Sequence, residues 1–392
     1  MKGRGFEFPD LKRGFSLKNL FSGSLYAVFL FFVLATLLPD AQPSASAVEA
    51  ASPSKTLEVD PDLILGPAER ESAGPLVRRA RSLAETDEVK GQLDHLLTEK
   101  REVIRKSLGL STKYLPHIMP ILERHDLPSE LAFLCLIESG YHHSARSHAG
   151  AVGMWQMIRA TSKRFGLVTD SWVDERLDFV RSTEGAARFF SYLKGRFDNW
   201  DQVLAAYNAG EGRVRTAVKK ARVQNQEPDF QNLRLPRETR IYVPAFYAAL
   251  LIAMEPERYG LFPEYQPPLD FKEVRIPGGV PLATVSLKLG CDLSEIRVLN
   301  PSIRKDRVPF SEGGFPLKVP SFIGMERAER VAQSLREVTY VSYRVRQGDT
   351  LWDISRKFGV SISRISRSSR GKGHPSRIFP GEILVVSLVG EG

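Results

Sequence analysis

From about Thr86 to Met254 the apolar residues recur at three- and four-residue steps, beginning with Val89, Leu93, Leu96, Leu97, Val103 and Ile104. That period belongs to helices with one buried face, and no convincing two-residue alternation interrupts it before about residue 270. The spacing predicts further helices over 114–124, 129–139, 154–165, 182–196, 199–208 and 238–254. Pro128 and Gly140 fit the start and stop signals of the second of these. Residues 86–262 therefore read as an all-α domain. Tyr265-Gln266-Pro267-Pro268 then breaks the pattern.

The character of the chain changes beyond that break. Residues 268–321 show short strand-like ends at 272–276 and 317–319 around a helical middle, and a charged, helix-prone linker covers 322–339. In 340–388, strand-like stretches at 340–346 and 382–388 enclose two short helices. The two segments share a plan, and Val274-Arg275-Ile276-Pro277-Gly278-Gly279 aligns with Tyr343-Arg344-Val345-Arg346-Gln347-Gly348 as a diverged internal repeat. The fold class expected is multidomain α+β.

A length of 392 residues suits two or three domains. Lys2, Arg4, Lys12, Arg13 and Lys18 precede an apolar run over 25–38, and Ala45-Ser46-Ala47 fits a cleavage site, so residues 1–47 read as a signal peptide. The run is short for a bilayer span. An uncleaved anchor, which would associate the protein with a membrane, is the alternative. An Ala-, Pro- and Ser-rich linker is expected over 48–85. The net charge of +9 suits nucleic acid, an anionic membrane or an acidic polymer equally. Export to the periplasm or cell envelope removes nucleic acid from that set. Of the two cysteines, Cys135 lies in an apolar helix and is expected to pack as a small hydrophobe. With no metal-ligand cysteine spacing and no phosphate-binding glycine loop, no metal and no cofactor are predicted. Nothing in the chain fixes an oligomeric state.

Chemistry gathers at four signatures: Ile137-Glu138-Ser139-Gly140-Tyr141, Ser147-His148-Ala149-Gly150-Ala151-Val152-Gly153-Met154-Trp155-Gln156-Met157, Ala205-Ala206-Tyr207-Asn208-Ala209-Gly210, and Glu238-Thr239-Arg240-Ile241-Tyr242-Val243. Taken singly, each has a bland reading. Glu138 is a charge at a helix end, Trp155 and Met157 are core, Asn208-Ala209-Gly210 closes a helix, and Glu238 favours the start of its own helix. A carboxyl group beside apolar surroundings nevertheless tends to hold its proton, as a general acid requires. No Asp or Glu occurs in the 31 residues from Ser139 to Thr169.

Together and in this order the four signatures, spanning about residues 90–260, resemble the lytic murein transglycosylases of the soluble-lytic-transglycosylase type. The resemblance implies a lysozyme-like α-helical fold and an enzyme, a carbon–oxygen lyase acting on the β-1,4 bond between N-acetylmuramic acid and N-acetylglucosamine in peptidoglycan. It implies Glu138 as catalytic acid and base, with Ser147, Gln156, Tyr207, Asn208 and the acidic Glu238 at or near the saccharide cleft. Ser139 and Trp155 are expected to support the site. Glycoside cleavage commonly uses two carboxylates, and here no second one follows shortly after the acid, although Glu238 is a distant candidate. The expected mechanism has Glu138 protonate the glycosidic oxygen while the substrate's 2-acetamido group stabilises the developing charge. Glu138 then takes the proton of the muramyl C6 hydroxyl, which closes onto C1 to leave a 1,6-anhydro end. A hydrolytic muramidase and an inactive peptidoglycan-binding scaffold are the alternatives. Membrane-bound relatives often carry a lipidated cysteine just after the signal. No cysteine precedes Cys135, so no lipoprotein anchor is expected.

The C-terminal segment resembles a LysM module, a βααβ fold that binds N-acetylglucosamine-containing glycans, through Tyr343-Arg344-Val345, Gln347-Gly348-Asp349-Thr350-Leu351-Trp352, Ile354, Phe358-Gly359-Val360 and Ile378-Phe379-Pro380-Gly381. Leu351 and Ile354 are expected in its core. Ser369 stands where the family often has Asn, and Arg364, Arg367, Arg370, Lys372 and Arg377 form either a solvated basic face or a surface for anionic stem peptides. Leu299-Asn300-Pro301 gives 268–321 a weaker LysM-like resemblance.

Overall fold

The structure, a computed structural model, describes residues 74–367 and 377–389. The expected signal peptide, the first part of the 48–85 linker, and Ser369, Arg370 and Lys372 lie outside the described residues. Among the described residues no helix is long and apolar enough to cross a membrane, and no group of His, Cys, Asp and Glu is arranged to hold a metal ion.

The helical part opens with α1 (Pro75–Leu83), α2 (Asp87–Thr98), α3 (Arg101–Ser111) and α4 (Leu115–Arg124). A 3-10 turn over Ser129–Phe133 runs into α5 (Leu134–Ser139). Then come α6 (Arg159–Arg164), α7 (Phe179–Lys194), α8 (Trp200–Ala209), α9 (Glu211–Val223) and α10 (Arg237–Met254). Thirteen consecutive residues of α10, Tyr242 to Met254, are buried, as is Thr239 before them, so this helix is the spine on which α1, α2, α5 and α8 pack. The 86–262 domain is thus helical as its periodicity required.

Three expectations need correction. The end of the 48–85 linker is α1, whose Leu76, Val77 and Ala80 are buried. Arg79 of α1 reaches Asp201 at 2.6 Å, and Tyr247 donates to the same carboxylate at 2.5 Å. Composition there suggested a linker, but one apolar stripe suffices to dock a short helix on the spine. The helix expected over 154–165 begins only at Arg159, because Gly153 and Gln156 take left-handed backbone angles (φ 85° and 45°) that end any helix before it. The third correction is α9, absent from the expectation, because its cation-rich sequence masks a regular stripe of Val214, Ala217, Val218 and Ala221.

Gln266 bonds back to Gly109 and Thr112 of α3, so the proline-rich break is held against the helical core. Beyond it, β1 (Phe271–Ile276) and β2 (Phe315–Pro320) form an antiparallel pair with Phe271 opposite Pro320 and Ile276 opposite Phe315. They flank α11 (Leu282–Leu289) and α12 (Leu293–Leu299). Asn300 is buried. It donates to the carbonyls of Ile296 and Lys318 and accepts from the Lys318 amide, which pins α12 to β2. The linker expected over 322–339 contains α13 (Met325–Ser334), and Ala328 and Leu335 join this module's core.

The last unit is β3 (Val338–Arg344), α14 (Leu351–Phe358), a 3-10 turn over Ile362–Arg364, β4 (Ile365–Arg367) and β5 (Ile383–Val389), in the sheet order β3-β5-β4. Val345, Ile354, Leu384 and Val386 form its core, with Leu351 partly buried beside them. Asp349 accepts from the Arg346 amide and the Tyr343 hydroxyl, which fixes the turn at Gly348 (φ 88°). Where a second helix was expected, the described residues hold a 3-10 turn and a short strand. Ile365 instead packs on the module's core from the strand, opposite Val386 of β5.

Candidate active site

Glu138 is the next-to-last residue of α5, a helix ended by Gly140 in the left-handed conformation (φ 58°). A Cβ at Gly140 would lie 2.6 Å from the Ser107 hydroxyl, so the helix end and α3 can meet this closely only at glycine. Tyr141, also left-handed at φ 62°, is held by its hydroxyl bond to the Ala132 carbonyl. Two residues around the acid are therefore locked by tertiary contacts.

The second signature is a compact loop. Gly153 is obligatory twice over, since its φ is 85° and a Cβ would stand 1.8 Å from the Arg176 carbonyl oxygen. Arg176, paired with Asp174 at 2.9 Å and almost fully buried, donates to the carbonyls of Gly150 and Met157 from behind. Gln156, at a left-handed φ of 45°, donates to the carbonyls of Gly153 and Ala145. The Ser147 hydroxyl accepts from the Ala151 amide at 3.0 Å.

Glu138, Ser147, Gln156, Tyr207 and Asn208 line one cleft of about 330 Å³, together with Met157, Phe189 and Arg213. Tyr207 stacks on Phe190 at 4.6 Å and donates to the Trp155 carbonyl at 2.6 Å, while Asn208 accepts from Thr239 at 2.9 Å. Trp155 and Ser139 lie behind this wall. The Trp155 indole is fully buried and donates to Thr183, and the Ser139 hydroxyl donates to the Met154 carbonyl. Glu238 does not line the cleft. It is half-buried at the start of α10, where burial raises its pKa and nearby Arg213 opposes that shift. Among the residues lining the cleft, Glu138 is the one carboxylate.

Only 7% of Glu138 is exposed. Burial pushes its pKa up to about 8, and the Tyr242 hydroxyl, donating to Oε1 at 2.5 Å, holds it back from rising further. A carboxyl group in that range is protonated at neutral pH and can give its proton to a leaving oxygen. It can then be reached as a carboxylate without extreme cost.

Tyr242 and Arg213 were not singled out from the sequence. Tyr242 lies one helical turn after Glu238 in the fourth signature, so its face was legible, but a tyrosine in an apolar stripe reads as core. Arg213 belongs to the helix that the periodicity missed.

The helical fold, the one acid lining the cleft and the glycine-framed loop beside it define a glycan-cleaving enzyme, and the chain belongs to the lytic murein transglycosylase family. Residues 117–230 match the transglycosylase SLT domain and residues 343–387 the LysM domain. Over 322 residues, 78% of this chain and 70% of the relative, it is 30% identical to membrane-bound lytic murein transglycosylase D of Escherichia coli strain K12. Membrane-bound lytic murein transglycosylase F of Desulfosudis oleivorans is 29% identical over 31% of this chain and 28% of its own length. A peptidoglycan transglycosylase of Escherichia phage T7 is 42% identical over 20% of this chain and 6% of its own length. The protein is a peptidoglycan lytic transglycosylase with a LysM module.

Proposed function

We propose that the enzyme cleaves the N-acetylmuramyl-β-1,4-N-acetylglucosamine bond without water, leaving 1,6-anhydromuramyl ends, and that Glu138 is both acid and base. The observation that carries this reading is the solitary, buried Glu138 in a cleft lined by no second carboxylate, where burial favours its protonated form. A double-displacement or water-activating mechanism commonly uses a second carboxylate across the sugar, whereas an intramolecular closure needs one group that first gives and then takes a proton. In the first step Glu138 protonates the glycosidic oxygen, the bond to C1 breaks, and the 2-acetamido oxygen shares the positive charge at C1. In the second, ionised Glu138 takes the C6 hydroxyl proton as O6 bonds to C1, and the acid is regenerated. The Tyr242 hydroxyl, already bonded to Oε1, steadies the carboxylate between the steps. Ser147, Gln156, Tyr207 and Asn208 offer the sugar a hydroxyl, amides and an aromatic face along the cleft wall. The LysM module would keep the enzyme on glycan, and the chain would act in the periplasm after export.

Mass spectrometry of products from purified murein sacculi tests the reading. Muramyl ends one water lighter than hydrolysed ends are expected. Hydrated ends would make the enzyme a muramidase, and no products would make it a scaffold.

A further inference from the structure

The cleft loop over 147–157 is held from behind by Arg176, which donates to the carbonyls of Gly150 and Met157 and lays its own carbonyl oxygen against Gly153. Arg176 is itself fixed by two bonds to Asp174, at 2.9 Å each. What fixes Asp174 comes partly from outside the helical domain. Residues 169–174 form a tight turn, closed by the Asp170 amide on the Val173 carbonyl and by the Asp170 carboxylate, which accepts from the Trp172 and Val173 amides. Residues 302–304 of the 271–335 module cover the outer edge of this turn. The Asp174 amide donates to the Ser302 carbonyl at 2.9 Å and the Arg304 amide to the Trp172 carbonyl at 2.8 Å, with Val173 and Ile303 opposed between them as an antiparallel bridge. The Arg304 guanidinium adds a bond to the Asp170 carbonyl at 2.7 Å, and the Phe310 ring meets the Trp172 ring edge-on at 5.2 Å. Burial disfavours the Asp174 carboxylate, but bonds from Arg176 and the nearby charge of Arg304 hold its pKa below the usual range.

We infer that residues 302–310 of the module brace the cleft: by fixing Asp174 they fix Arg176, and through it the loop that carries Ser147 and Gln156. Ser302, Arg304 and Phe310 are then positioning residues, since none of them lines the cleft. The inference rests on the proposed saccharide cleft and gives the 271–335 module a role other than glycan binding. An unbraced turn would leave its edge to water, and backbone bonds open readily there. A buried ion pair adds little net stability, so what the brace protects is the placement of the carbonyls that Arg176 holds. A loosened loop displaces Ser147 and Gln156 but spares Glu138, which is held by α5 and by Tyr242 of α10. Sugar binding then weakens in ground state and transition state alike, which raises KM at constant kcat.

The test uses the full chain carrying Arg304→Ala/Phe310→Ala, two exposed positions of the module, assayed on soluble murein glycan strands. KM should rise about five-fold, with kcat within about two-fold of wild type and the alkaline limb of the pH profile unmoved. A purely structural role would reduce the folded fraction and so lower kcat at unchanged KM. Arg304→Lys/Phe310→Tyr keeps a donor and a ring, and should restore most of the wild-type KM. Hydrogen exchange followed by mass spectrometry gives a readout that needs no turnover. Amides of residues 147–157 should exchange at least about three-fold faster in the alanine variant, and those of α10 at the wild-type rate. An unchanged KM, a fall in kcat alone, or unchanged exchange over 147–157 would overturn the inference. If the wild type cleaves no strand, the proposed reaction alone fails and the exchange rates still decide the brace.

Discussion

At the scale of single residues the proposed catalysis depends on Glu138 holding its proton. Its carboxyl group is buried, and one hydroxyl touches it. Glu138→Gln preserves the shape and the hydrogen bond but can neither give nor take a proton, so turnover on sacculi should fall by about a hundred- to ten-thousand-fold. Its effect on stability has a sign that depends on pH. Below about 4.5 the carboxyl is protonated in both folded and unfolded chains. Between there and about 8 the folded protein holds a proton that the unfolded chain has released, so stability falls as pH rises through that window and the contribution is gone above it. Glutamine has no such slope. The melting temperature of Glu138→Gln relative to wild type should therefore be higher at pH 8.5 than at pH 4.5, and a constant difference would argue against a raised pKa. Activity should decline on the alkaline side as the acid ionises. Tyr242→Phe removes the bond that favours the carboxylate. Its alkaline limb should move to higher pH while kcat drops by about ten- to a hundred-fold, the size of one hydrogen bond to a charged group. Glu138 stood out in the sequence as an acid ending an apolar helix, but its expected role came only from the four signatures taken together and the resemblance they carry. Tyr242 did not stand out, because the same letter fits a core stripe and a catalytic hydroxyl, and only the packing of α5 against α10 distinguishes them.

Secondary-structure elements meet the site at their ends, where the chain must turn sharply. The loop from Ser147 to Met157 carries its function through backbone angles as much as through side chains. At Gly153 an added methyl group would meet a carbonyl oxygen and force a left-handed residue to carry a Cβ. Gly153→Ala should cost about 2 kcal/mol or more in urea unfolding and reduce cleavage beyond the stability loss by displacing Gln156. An alanine variant within about 0.5 kcal/mol of wild type would contradict this. The helices with long apolar stripes were plain from spacing alone. α1 and α9 were obscured by composition, one by the proline- and alanine-rich stretch before it and the other by its cations. In both, a stripe of three or four residues is enough because a preformed partner helix receives it. Local sequence weighs propensity, but the spine α10 supplies the tertiary contact that settles the outcome.

For the whole molecule, the question is which parts move as one. Lys318 of β2, 3% exposed as a side chain, reaches Asp178 at 2.5 Å. Asp178 also caps α7 by accepting from the Val180 and Arg181 amides. Close by, Val173 bridges Ile303, and Asp174 donates its amide to Ser302. Lys318→Met should destabilise the protein by about 3–5 kcal/mol by leaving a buried charge alone, and adding Asp178→Asn should recover part of that loss. Differential scanning calorimetry should show the helical domain and the 271–335 module melting in one transition. The proline-rich break and the change of pattern after it made a boundary legible, but the ion pair across it was not, since Lys318 and Asp178 are 140 residues apart. The cap at Asp178 thus has a consequence for anyone rearranging this gene product. An excised helical fragment ending near residue 262 would carry an acid at the head of α7 stripped of its counter-charge, and a graft of the SLT-matched segment onto a foreign carrier would inherit the same defect. The usable cut lies further on, past Leu335, where one cassette keeps both halves of the pair.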